Sequence, residues 1–130
     1  MTKLYDAQVS VFKRLESNLE LMEQITDTYD YVPSETDFPY IVLGRAYSTP
    51  EKTKTTDGER IEITLDIWSI YQGKKETVEI MKLVEASLIE DLLIEDALVI
   101  SQEVKSREVL EEANDLYHGT VIFEILLDLE

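Results

Sequence analysis

The chain has 130 residues, with 28 acidic and 12 basic side chains and a formal net charge of −16. A field of that sign repels nucleic acid and anionic membranes, which argues against any function built on gripping phosphates. The absence of Cys removes disulfides, thiolate nucleophiles and zinc–thiolate sites.

The length suits one domain, so a single domain is expected over residues 1–130. The first residues, Met1-Thr2-Lys3-Leu4-Tyr5-Asp6, lack an apolar signal core. No apolar run approaches the ~20 residues that span a bilayer. The expected location is therefore the cytoplasm of the producing cell. Every quarter of the chain is net negative, so the acid is dispersed rather than gathered in a tail.

Residues 4–25 carry Val11, Phe12, Leu15, Leu19 and Met22 at three- and four-residue spacing, which predicts an amphipathic helix. Ser17-Asn18 interrupts it with residues that favour caps, so the segment is one helix or two with a corner at Asn18. Tyr29 to Pro33 reads as a short strand or an extended arm, because Pro33 steers Val32 out of the helical region, and residues 34–37 read as a loop. Pro39 to Tyr47 reads as a strand. Gly44 within it marks a bulge or a close approach of another backbone.

The polar stretch Ser48–Gly58 is expected to be a long hairpin loop. Lys52, Lys54 and Arg60 form the one local basic feature and read as a solvated tip. In Glu59 to Tyr71, Ile61, Ile63, Leu65 and Ile67 alternate with Glu62, Thr64 and Asp66, giving a strand with one buried and one wet face. Trp68 and Ile70 fall on the wet face. Something is expected to cover them: the N-terminal helix, a loop or a neighbouring subunit.

Gly73 to about Leu92 reads as a helix with the stripe Thr77, Ile80, Met81, Val84 and Leu88. Ala97 to Arg107 reads as a strand with Leu98, Ile100, Gln102 and Val104 on one face. Glu108 to Leu116 is expected to be an acidic loop turning at Asn114-Asp115. Tyr117 to Leu129 reads as the last strand, in which Gly119 leaves a gap for a large neighbour. The expected fold is α+β: a two-layer sandwich, a mostly antiparallel sheet of about four strands with two main helices on one face.

Catalytic groups are hard to assemble from this set. His118 is the single histidine and reads as a structural or surface residue, since a catalytic or metal site needs further partners. Glu111, Glu112 and Asp115 lack the register of a calcium loop. Four scattered glycines form no phosphate loop. No cofactor, metal or enzymatic activity is expected. Tyr29, Tyr31, Tyr40, Tyr47 and Tyr71 sit in or beside loops and strand ends, and either edge the sheet or anchor an interface.

Taken in order, Tyr31-Val32-Pro33, Phe38-Pro39-Tyr40-Ile41-Val42-Leu43-Gly44, Leu65-Asp66-Ile67-Trp68-Ser69, Gly73-Lys74-Lys75-Glu76 and Tyr117-His118-Gly119-Thr120-Val121-Ile122-Phe123 resemble the tail-completion, or tail-to-head joining, proteins of siphophages and prophages. The resemblance spans about residues 29–129. It implies a fold related to tail-terminator and tube proteins and no active site. It also implies a monomer that becomes a hexameric ring in the virion, at the head-proximal end of the tail. The implied partners are further copies of the chain, the tail tube protein and the head-completion connector, with DNA passing unbound. No membrane partner is expected.

On this reading, Lys52, Thr53 and Lys54, together with Glu111, Glu112 and Asp115, are expected in assembly loops. Tyr40 and Tyr47, or Tyr117, are expected on strand edges open to β-augmentation within Tyr40–Tyr47 or Tyr117–Leu129. The competing readings are an acidic adaptor or DNA-mimic inhibitor, and a small-ligand or enzymatic α+β domain.

Overall fold

The computed structural model describes residues 1–129. Helices α1 (Leu4–Glu16) and α2 (Leu19–Gln24) lead into a two-residue strand β1 (Thr28–Tyr29). There follow β2 (Tyr40–Pro50), β3 (Gly58–Ser69), α3 (Lys75–Ser87), β4 (Leu98–Ala113) and β5 (Leu116–Asp128). The strands form one sheet in the order β1-β2-β3-β5-β4. Only the β1–β2 pair is parallel. The sheet thus has five strands rather than the four expected, and a third, short helix joins the two main ones.

The alternation in β3 organises the core. Ile61, Ile63, Leu65 and Ile67 point to one face and are buried beneath the helices. In register beside them, Ile125, Phe123, Val121 and Gly119 of β5 continue the same face. Ala7, Val11 and Leu15 of α1, Leu21 of α2 and Ile80, Met81 and Val84 of α3 close over it. Burying each large aliphatic chain contributes about 1.5–3 kcal/mol.

The corner expected at Asn18 is present. Its side chain accepts from the Leu21 N–H as the α2 N-cap, and its amide donates to Leu83 O and Ser87 Oγ on α3. The corner resets the helical phase, so Leu21 is buried while Leu19, expected in the stripe, is 75% exposed. The α3 stripe falls where the spacing put it, with Thr77, Ile80, Met81, Val84 and Leu88 all buried.

Three further expectations are corrected. Residues 108–113 continue β4, and the chain reverses at Asn114-Asp115 with Asp115 at φ 61°. An edge strand exposed on both sides tolerates acidic residues, so polarity there does not signal a loop. Register shifts between Val99 and Ser101, Val104 and Ser106, and Glu111 and Ala113 also break the alternation of β4. Leu98 and Ile100 are therefore exposed, while Val99 and Val104 pack against the core. The loop expected over 48–58 is shorter, because β2 runs to Pro50 and β3 begins at Gly58.

Gly44 marks the bulge expected of it, and the close approach there comes from a side chain rather than from another backbone. The β2–β3 register shifts between Leu43 and Ala46, and a Cβ on Gly44 would run into the Asp66 carboxylate. Gly119 receives α3: a Cβ there would stand 2.6 Å from Thr77 Cγ2 and 3.4 Å from Met81 Cε.

The segment after α3 is fastened from both layers. From β4, the Gln102 amide donates to Leu88 O and Glu90 O and accepts from the Leu92 N–H. From α1, Arg14 donates to Ser87 O, Glu90 O and Asp91 O.

Two substitutions test this packing by urea unfolding. Among the described residues the buried Thr77 Oγ1 has no hydrogen-bond partner. Thr77→Val should therefore stabilise the protein by about 1 kcal/mol, and a loss of stability would reveal a partner for the hydroxyl. Gly119→Val should destabilise it by about 1–3 kcal/mol through overpacking against α3.

Candidate assembly surface

The helices cover one face of the sheet and leave the other to its own side chains. On that open face, Arg60, Glu62, Asp66 and Trp68 of β3 stand beside Glu124 and His118 of β5. Glu124 is only 8% exposed although ionisable. It is held by Arg60 at 2.9 Å and Lys105 at 3.4 Å. Arg60 also donates to Glu51 at 2.6 Å, and Lys105 to Glu62 at 2.9 Å. The hydrogen bond to Glu51 does most to raise the Arg60 pKa, and that to Glu62 does most for Lys105. The face is a ladder of cross-strand ion pairs rather than an apolar surface awaiting a cover.

The ladder ends in a ring stack. The His118 imidazole lies on the Trp68 indole with centroids 4.0 Å apart and planes 10° from parallel. Its Nε2 meets Asp66 Oδ1 at 2.6 Å and its Nδ1 meets Glu112 Oε1 at 2.8 Å. Trp68, expected to need a cover, is covered from within the sheet, whereas Ile70 stays exposed.

Burial pulls the His118 pKa down. The hydrogen bonds and charges of Glu112 and Asp66 outweigh this, and the value lies above the ordinary 6.5. As imidazolium, His118 donates from both nitrogens. It then has no lone pair to take a proton from Thr120, whose Oγ1 is 3.3 Å from Nε2. The arrangement is a clamp that holds the imidazole between two carboxylates. Among the described residues no three acidic or histidine side chains are grouped to hold a metal ion.

The residues expected to serve assembly are split between the two ends of the sheet. Lys52, Thr53 and Lys54 occupy the 51–57 turn beside Gly58 and Asp128. Thr53 orders that turn through Thr56, with the Thr53 N–H donating to Thr56 O at 3.1 Å and the two hydroxyls 2.6 Å apart. At the other end, Glu111 accepts from the Asp115 N–H and braces the β4–β5 turn, while Glu112 is engaged by His118.

Tyr40 meets Tyr29 edge to face and Phe38 at a tilt at the start of β2. Tyr47 is 44% exposed beneath the Arg45 guanidinium, 4.6 Å from its ring centroid. Tyr117 pairs with Ser69 on one side and Glu111 on the other. β5 is thus an interior strand, and the expectation of a free edge over Tyr117–Leu129 is corrected. β4, which follows α3 and among the described residues pairs with β5 alone, takes the edge instead. On β2, β1 covers Ile41 and Val42, so only the part beyond Val42 lies open.

The pH dependence of the clamp follows from its sign. A histidine whose folded pKa is raised contributes stability that is fully present below its ordinary value and fades as pH rises through the folded value. The stability gap between the native chain and His118→Gln, measured by urea unfolding, should therefore be larger at pH 5.5–6 than at pH 9. A gap that is constant or grows with pH would refute the carboxylate clamp.

Comparison with known proteins gives this architecture a family. Residues 9–128 match the family model described as tail completion protein gp17. The tail completion protein gp17 of Bacillus phage SPP1 is 33% identical over 61 residues, covering 47% of this chain and 46% of that protein. That match thus spans about half the length of the relative.

Among solved structures, a chain from the virion of a native gene transfer agent particle superposes with a TM-score of 0.84 at 18% identity, covering 93% of each chain. The SPP1 gp17 structure superposes with a TM-score of 0.62 at 22% identity, covering 91% of this chain and 86% of that one. These likenesses establish a shared fold. With the family model matched across nearly the whole sequence, the chain belongs to the tail completion protein gp17 family of tailed phages.

Proposed function

We propose that this chain assembles as a ring, the hexamer that the resemblance implies, on the head-proximal end of a phage tail tube and joins the tail to the head connector. The family match over residues 9–128 carries this reading. The charge supports it: at −16 per subunit, a ring presents an acidic opening through which DNA slides without being held. The same repulsion favours separate subunits in the host cytoplasm until tail and connector supply a template. The open face supports a structural role, since its one histidine is committed to two carboxylates. The partners are further copies of the chain, the tube protein and the connector protein.

The 51–57 turn is assigned here to contact with a neighbouring subunit or the connector. It projects beyond the β2–β3 ladder, which is closed by Glu51 N–H donating to Gly58 O at 2.9 Å. Two measurements test the reading. Particles made without the gene should appear in electron micrographs as full heads and separate tails; normally joined particles would refute the function. Deleting Lys52–Thr56 should leave the circular dichroism spectrum and the melting temperature near native while tails and heads stay apart. Normal infectivity of the deletion would remove the turn from the assignment.

A further inference from the structure

The sheet has two unequal free edges. On one side β1 covers β2 only at Ile41 and Val42, so no strand pairs with Leu43–Pro50 on its outer side among the described residues. On the other side β4 offers its whole outer edge. An unpaired edge is a row of backbone donors and acceptors able to accept another strand.

Three observations connect these edges. The first is level. Rows traced across the sheet link Pro50, Glu59, Leu127 and Val99 at one end. They link Leu43, Leu65, Val121 and Arg107 at the other. The open part of β2 thus lies at the height of Val99–Arg107 on β4. The second is direction. β2 and β5 both run antiparallel to β3, and β4 runs antiparallel to β5, so β2 and β4 have opposite senses. A copy rotated about an axis along the strands would bring its β2 alongside β4 in the antiparallel sense that the rest of the sheet uses.

The third is charge. In a chain with 28 acids, residues 43–50 hold none and one base, Arg45. Residues 98–107 hold one acid, Glu103, and two bases, Lys105 and Arg107. Neither stretch is net negative, unlike the chain as a whole, so neither edge adds to the repulsion between two copies. Exposed apolar side chains sit on both: Tyr47 on β2, and Leu98 and Ile100 on β4, the latter at 66% and 61% exposure.

We infer that a second copy of this chain docks its Leu43–Pro50 edge antiparallel onto the Val99–Arg107 edge of β4, and that this head-to-tail contact repeats around the ring. The inference rests on the tail-joining reading above and names the interface within it. The contact uses different surfaces on each partner, so it closes only through rotation. The β4 bulges limit the ladder to a few regular rungs. Pairing is therefore weak between two free chains and accumulates when the ring completes.

The chain has no native Cys, so introduced thiols report alone. Thr49 and Ser101 share one row through Arg60 and Leu126. Tails and particles are assembled with Thr49→Cys chains, Ser101→Cys chains, a mixture of the two, or the double variant, and treated with a short bismaleimide. The expected result is cross-linked dimers from the mixture and from neither single variant. The double variant should give a ladder ending at the subunit number of the ring. Cross-links within one single variant, or none although the chain is incorporated, would overturn the edge pairing and leave the tail-joining reading standing. A chain missing from the particles altogether would overturn both.

Discussion

The two-residue alternation of β3 is the constraint on which the rest of the molecule depends. It sends Ile61, Ile63, Leu65 and Ile67 under the helices and Arg60, Glu62, Asp66 and Trp68 to the opposite side. Its partners on both flanks must obey the same phase, because a slip by one residue would exchange the two faces. The apolar side then fixes where α1, α2 and α3 lie. The polar side fixes which charges meet, so Glu124 finds Arg60 and Lys105, and His118 finds Trp68 and Asp66.

The open face shows how a sheet dispenses with a second helical layer. Isolated exposed ion pairs contribute little. Here the carboxylates are shared: Glu124 serves two cations, and Arg60 and Lys105 each serve two carboxylates. Such a network gives a nearly buried acid its partners and leaves the face wet and charged. That is a surface unattractive to adventitious apolar contacts.

How much of this was legible in the sequence differs by element. The β3 alternation and the α3 stripe could be read directly, because each has one buried side and no interruption. Asn18 announced its corner through capping chemistry, and the ordered motifs from Tyr31 to Phe123 pointed to the family. β1 was legible only as a short strand or extended arm beginning at Tyr29, and its parallel pairing was not, since two residues carry no periodic signal. β4 was misread in two ways. Its bulges change the phase after Val99 and Val104, and its acids at Glu108, Glu111 and Glu112 suit an exposed edge as well as a loop. The place of β5 inside the sheet depends on where β4 docks after α3, a long-range choice that strand composition does not encode. The His118 clamp was hidden for the same reason: Asp66 is 52 residues away and is brought near only by pairing.

The fastening of the segment after α3 has a mechanical meaning. Apolar contact between a helical layer and a sheet is non-directional and resists separation better than sliding. Gln102 reaches this segment from the sheet and Arg14 reaches it from the helices, each through several directional bonds to the same short run of backbone. The pair acts as a dowel through both layers. It sets their lateral alignment, so a load applied to either layer is borne by the whole subunit rather than dissipated as slip between its halves.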